Sequence, residues 1–215
     1  MLLAVLLLLG TALGIALRAG WGSAARCAAG PVDTGFAQDM SVHHRQAVLM
    51  ASWARERGTD PAIRALAFDV ETGQLEQIGR MQGWLSLWNA PPLPFGPPMS
   101  WMAGASSMPE MAHGGATAGG APAGGGPATM PGMASPAELE RLRSTGGVPF
   151  DALFLQLMLR HHQGGLPMAR YAAEHAETPQ VRNLAQQIAA SQGAEAEYLT
   201  QLLAQRGAQP LPPPG

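Results

Sequence analysis

From Phe36 to Ala54 the apolar positions advance in steps of three and four. Phe36, Met40, Ala47, Met50, Ala51 and Ala54 share one stripe with His43 and His44, which is the periodicity of an amphipathic helix. The pattern predicts a helix over 33–57 with Asp33 as its N-cap. Gly58 and the Asp60-Pro61 step should end it and start the next. Over 61–88, Ile63, Leu66, Ala67, Val70, Gln74, Gln77, Ile78, Met81 and Leu85 make one broad face, the partner helix of a hairpin. No alternating β pattern competes.

The same design returns 118 residues later. Pro31–Ser86 aligns without a gap to Pro149–Ala204, and 17 of the 56 positions are identical, Asp33/Asp151 and Gln74/Gln192 among them. Such self-similarity marks an internal repeat. Asp151 is predicted to cap a helix to about His175, and Pro179 to open one to about Arg206. Two hairpins with short turns predict an all-α four-helix bundle over 31–204, from repeats 31–88 and 149–206. Pro167, preceded by Gly164 and Gly165, should bend the third long helix.

Residues 89–135 break the pattern. Gly and Pro supply 19 of these 47 positions and Glu110 is the only charge, which predicts a mobile loop without a core. A short helix should follow over 136–144, with Ser135 as N-cap, Pro136 at its first position and Glu138 closing a capping box.

Chemistry enters through the repeat. His43-His44 and His161-His162 each lie between methionines, Met40 and Met50 in the first copy, Met158 and Met168 in the second. On a helix Met40, His43 and Met50 face one way and His44 is displaced toward the neighbouring helix. Thioether sulfur is soft and favours Cu(I) or Ag(I), and imidazole serves copper in either oxidation state. These eight residues are the candidate metal ligands, with donors from a second helix or the loop needed to close a site. The competing role for each is packing: methionine as core filler, histidine as a hydrogen-bonded core residue. Gln74 and Gln192 should face the histidine helices and hydrogen-bond an imidazole. Met99, Met102, Met108, Met111, Met130 and Met133, with His113, are weaker candidates in the loop. Zinc would want cysteine or a tighter histidine cluster, a diiron centre a glutamate array, and calcium or magnesium an oxygen-rich loop.

Net charge is close to zero, with 13 basic and 15 acidic residues and no basic block, so nucleic acid is not an expected partner. Cys27 stands alone and forms no internal disulfide. Residues 1–17 carry no charge, and 1–25 read as a signal peptide or as an N-terminal membrane anchor. The expected location is therefore periplasmic or extracellular, secreted or held at the bacterial membrane. No nucleophile with an attached base and no paired carboxylates point to hydrolytic chemistry.

The segments FAQDMSVHHRQAVLMA, IGRMQGWLSLW, MPGM and FDALFLQLMLRHHQGGLPMA resemble the bacterial family known as domain of unknown function 305, over about 31–88 and 130–204. The resemblance implies a ferritin-like helical bundle, export or membrane anchoring, and similarity to periplasmic copper-binding proteins. It carries a metal role onto Met40, His43, His44, Met50, Met158, His161, His162 and Met168. Gly165 and Pro167 depart from the family pattern, which has alanine at the first position and no proline at the second. The function expected is extracytoplasmic binding, sequestration or transfer of copper, Cu(I) foremost, with Ag(I) or Cu(II) as variants and a copper donor or acceptor protein as partner. The alternatives are a membrane-anchored helical scaffold without metal and a copper-dependent redox enzyme.

Overall fold

The structure is a computed structural model and describes residues 29–102 and 130–212. Four long helices dominate: α1 (Pro31–Arg57), α2 (Pro61–Leu87), α4 (Gly147–His175) and α5 (Pro179–Gln205), with the short α3 (Pro136–Ser144) and a 3-10 turn (Ser100–Met102) between the hairpins. The hairpins α1–α2 and α4–α5 pack through their first helices, α1 against α4. The four-helix bundle of two repeated hairpins is the architecture that the sequence predicts. Helix α3 forms over the expected residues, with the Ser135–Glu138 capping box in place.

Helices α1 and α4 run antiparallel and cross at their histidines. Met40 and Met168, on opposite sides of the two HH pairs in sequence, meet in one apolar cluster, whereas Met50 and Met158 meet in the other. Between these clusters lies a polar layer of His43, His44, His161, His162, Gln74 and Gln192, all buried.

Asp33 and Asp151 are not the N-caps they were expected to be. Helix α1 begins at Pro31 and α4 at Gly147, so Asp33 is the third residue of its helix, where it accepts from the N-cap Gly30 amide, and Asp151 is the fifth of its own. Their carboxylates instead clasp the turn of the opposite hairpin. Asp33 accepts from the Glu177 and Thr178 amides at 2.9 Å each and from the Thr178 hydroxyl at 2.6 Å, as well as from its own helix's Gly30 amide at 3.0 Å. Asp151 does the same at the other end with the Thr59 amide (3.0 Å), the Thr59 hydroxyl (2.5 Å) and the Asp60 amide (3.3 Å). Each carboxylate thus neutralises free N–H groups where a helix starts in the other hairpin.

Helix α4 runs unbroken through Pro167. The flanking glycines serve contact rather than bending: a Cβ on Gly164 would stand 2.1 Å from the Pro131 carbonyl oxygen. The turn Met130–Met133 presses onto α4 at that point. Gly132, at φ +78°, holds a left-handed conformation within 2.5 Å of the Arg160 carbonyl, measured from an added Cβ; this is backbone that only glycine adopts cheaply. Gln46 fixes the same strand of chain, donating to the Ala134 carbonyl (2.9 Å) and accepting from its amide (2.6 Å).

The ends of the segment 89–135 are therefore part of the core, against the expectation of a loop with none. Met102 and Met130 are buried beside Met40, Met81 and Met168, and Met99 and Met133 pack against the same cluster. The physical reason is local: Trp101 and the thioethers bury apolar area that the Gly and Pro content does not reveal. Met108, Met111 and His113 lie outside the described residues, as does the N-terminal segment 1–25.

Candidate metal centre

The polar layer is assembled by the helical repeat. His43 points from α1 toward α4, and its ring lies 3.8 Å from that of His161, tilted by 36°. His44, one residue on, is rotated toward α2 and bonds the Gln77 side-chain oxygen at 2.7 Å. His162 turns likewise toward α5 and meets the Glu195 carboxylate at 2.5 Å. The residues that engage the imidazoles across each hairpin are thus Gln77 and Glu195. Gln74 and Gln192, expected in that role, sit one turn away, and neither amide has a hydrogen-bond partner among the described residues.

All four imidazoles are used at the same nitrogen. The Nε2 of His43 contacts the Pro131 carbonyl oxygen at 3.2 Å, and that of His161 contacts the His43 carbonyl oxygen at 3.1 Å. With the oxygens of Gln77 and Glu195, every Nε2 partner is an acceptor, so each Nε2 carries the hydrogen and donates it. For His43, His44 and His161, which burial keeps neutral, Nδ1 is then a bare lone pair. Among the described residues all four Nδ1 atoms are buried and without a partner. Burial holds three of the rings neutral: the His43 pKa is lowered to about 4 and that of His44 to about 3, desolvation being the main cause in both, and His161 is pushed well below the usual imidazole range by burial and then by His43.

This arrangement is costly. Eight buried polar atoms in the layer, the four Nδ1 and both ends of two amides, lack partners among the described residues. At about 1–3 kcal/mol each, the penalty is on the order of 10 kcal/mol, comparable to the whole net stability of a typical domain. An imidazole whose N–H is held by an oxygen and whose other nitrogen is free is the usual state of a metal-ligating histidine.

One place in the layer is opened by Gly165. A Cβ there would fall 2.7 Å from Gln192 Oε1, 3.1 Å from His43 Cε1 and 3.5 Å from His43 Nδ1. The Gln192 amide and the His43 lone pair therefore flank the same small space, which alanine would fill. Among the described residues no three His, Cys, Asp or Glu side chains group as a metal site. Methionines lie on both sides of the layer: Met50 and Met158 on one, Met40, Met168, Met81, Met102 and Met130 on the other. Met81 was not singled out as a donor in the sequence, because it reads as one more apolar position on α2.

A duplicated helical bundle with histidines and methionines buried at its midline defines the structural class. Residues 33–203 match the family model described as domain of unknown function DUF305, and the chain belongs to that family. Among solved structures, a DUF305 protein from Streptomyces coelicolor is 38% identical with a TM-score of 0.70, covering 84% of this chain and 96% of its own. A DUF305 fragment from Deinococcus radiodurans is 32% identical, with a TM-score of 0.62 and coverage of 82% and 98%. CopM in its Cu(I)-bound form shares the fold at 23% identity, with a TM-score of 0.57 and coverage of 80% and 96%. CopM structures also include Ag-bound and Cu(II)-bound forms. No curated protein is significantly similar to the chain.

Proposed function

We propose that this protein binds a soft metal ion, Cu(I) or Ag(I), on the extracytoplasmic side, for sequestration or transfer. The observation that carries the reading is the set of four buried Nδ1 atoms without a partner among the described residues, each on a ring whose Nε2 is already engaged by an oxygen. The rings of His43, His44 and His161, neutral at neutral pH, require no proton release before binding. Uncharged thioethers on both sides of the layer suit a monovalent soft cation and leave little net charge in the core. His43 and His161 are the central donors, with Met40, Met130 and Met168 on one side and Met50 and Met158 on the other. His44 and His162 extend the layer toward the outer helices. The Glu195 carboxylate beside His162 places a negative charge next to that ring and favours Cu(II) there relative to the Gln77-bound His44. The fold that this chain shares with CopM, which has been crystallised with Cu(I), Cu(II) and Ag, supports the same cargo. Location beyond the cytoplasm is supported by the uncharged stretch 1–17. Among the described residues no helix is long and apolar enough to cross a membrane.

Anaerobic Cu(I) titration of the purified protein against a competing chelator tests the reading. The variant His43→Ala/His161→Ala should lose at least tenfold in affinity, while deletion of 103–129 should leave the bundle site intact. Unchanged uptake in the double variant, with loss only in the deletion, would refute a site at the helix crossing.

A further inference from the structure

The end of the bundle that carries the methionine-rich cluster also carries an uncovered apolar rim. Phe95 is 94% exposed, Leu87 82% and Leu93 49%. Trp84 and Trp88 stack beside them at 6.2 Å, each half-buried. The rim is built, not frayed. Gln38 donates to the Pro91 carbonyl at 2.8 Å and tethers the turn to α1. Asp39 accepts from the Met99 amide at 2.6 Å and from the Trp101 indole at 2.8 Å, closing the segment on its far side. No charged side chain occurs between Arg80 and Glu110. Other exposed apolar residues have different surroundings: Phe68 and Leu75 on α2 lie among Asp69, Glu71 and Glu76.

Where the chain enters decides what covers this rim. Helix α1 starts and α2 ends at the same end of their hairpin, so the chain enters the bundle at the rim's end, where Gly30 lies against the Glu177 side chain. The 28 residues before it open with 17 that carry no charge and are mostly Leu, Ala, Ile and Val. A sequence of lipid-seeking composition therefore leads into the end of the molecule that carries the Trp/Phe/Leu rim. Exposed Trp with Phe and Leu, free of charges to desolvate, is the composition of a membrane-interface contact. Of the charged residues on the first hairpin at this end, Asp33 and Asp39 are buried and Arg80 lies one turn before Trp84, whereas Glu174, Glu177 and Arg182 belong to the other hairpin.

We infer that Leu87, Leu93 and Phe95, with the Trp84–Trp88 stack, seat the first hairpin on a lipid surface. The bundle then stands with its methionine-rich end toward the membrane and the Val148 end away from it. This orientation is independent of whether metal binds.

Depth-dependent fluorescence quenching tests it. The full chain in a Cys27→Ser background, labelled at Gly96→Cys or at Val148→Cys, is reconstituted with phosphatidylcholine vesicles brominated along the acyl chain. Both positions tolerate a label, since a Cβ at Gly96 meets nothing within 4 Å and Val148 is 64% exposed. Quenching at 96 should exceed that at 148 by about threefold or more, as expected for a side chain at the headgroup–acyl boundary. The triple variant Leu87→Ser/Leu93→Ser/Phe95→Ser should lose this difference while keeping its helical circular dichroism. Equal quenching at both labels, or no association with vesicles, would overturn the inference. So would a blue shift at 96 that does not depend on bromine, because it would mean that protein, a second copy or the chain's own N-terminus, covers the rim.

Discussion

Replacing Asp33 with alanine should be among the most damaging single changes in the protein, although the residue touches neither the histidines nor the methionines. Its fully buried carboxylate accepts four hydrogen bonds, three from backbone amides and one from the Thr178 hydroxyl. Removing it leaves three buried N–H groups without partners at the start of two helices. Hydrogen bonds to a charged group are each worth about 1.5–3 kcal/mol, and an orphaned buried donor costs about 1–3 kcal/mol. With relaxation of the turn, the expected loss is about 3–5 kcal/mol, a large share of a typical domain's stability. Asp33→Asn keeps one acceptor oxygen but turns an amide NH2 toward amides, so it should cost about 2 kcal/mol or more. Thr178→Val should cost about 2–3 kcal/mol, since it removes both the bond to Asp33 and the N-cap bond from the Val181 amide while leaving the backbone contacts. Urea unfolding followed by circular dichroism measures all three. Asp151→Ala, at the opposite end, should cost a similar amount, and the double variant should be close to additive because the sites share no partners. An Asp33→Ala protein within about 0.5 kcal/mol of wild type, below the size of one ordinary hydrogen bond, would refute the claim that the carboxylates hold the hairpins together.

Gly165→Ala should leave stability unchanged or raise it by up to about 1 kcal/mol through helix propensity, while the added methyl displaces Gln192 and crowds His43; chelator competition should then show Cu(I) affinity falling about tenfold, and an unchanged affinity would remove His43 and Gln192 from the site. The metal-free protein should weaken as pH falls. The His43 and His44 pKa values are lowered to about 4 and about 3 in the fold, so the unfolded chain binds more protons below pH 6.5 or so. The stabilisation is complete above that pH and is lost as pH drops toward 4, by about 1.4 kcal/mol per pH unit for each imidazole. Flat unfolding free energies between pH 7 and 4.5 would contradict the burial of neutral rings. Glu195→Ala should lower Cu(II) affinity about 10–100-fold with little effect on the fold, whereas equal weakening at Gln77→Ala would show that the charge plays no part.

The hairpins were legible because helical periodicity and the 118-residue repeat are long-range signals that short-range ambiguity does not erase. Residue roles at the helix starts were not. Aspartate near a helix N-terminus reads locally as a cap, and nothing in the sequence shows that its carboxylate reaches a turn about 145 residues away. The choice between Gln74 and Gln77 failed for a related reason. Residues three apart share a helical face, so the pattern placed both toward the histidines and could not say which would meet a ring. Composition misled at Met99, Met102, Met130 and Met133, where Gly and Pro content hid a few large side chains that pack. Pro167 misled in the opposite sense: the glycines before it admit the Met130–Met133 turn, and α4 continues through the proline.

The crossing of α1 and α4 resembles the axis of a two-fold dimer, with one ring from each half facing the other. In a true homodimer any substitution beside that axis is imposed twice. Fusing the halves into one polypeptide lifts this restriction, and the chain has used the freedom. Glutamate stands at 195 where its counterpart at 77 is glutamine, and glycine at 165 where its counterpart at 47 is alanine. Under the proposed function, two neighbouring binding positions are thereby free to be tuned to unlike ions or unlike affinities, a tighter and a looser berth within one fold.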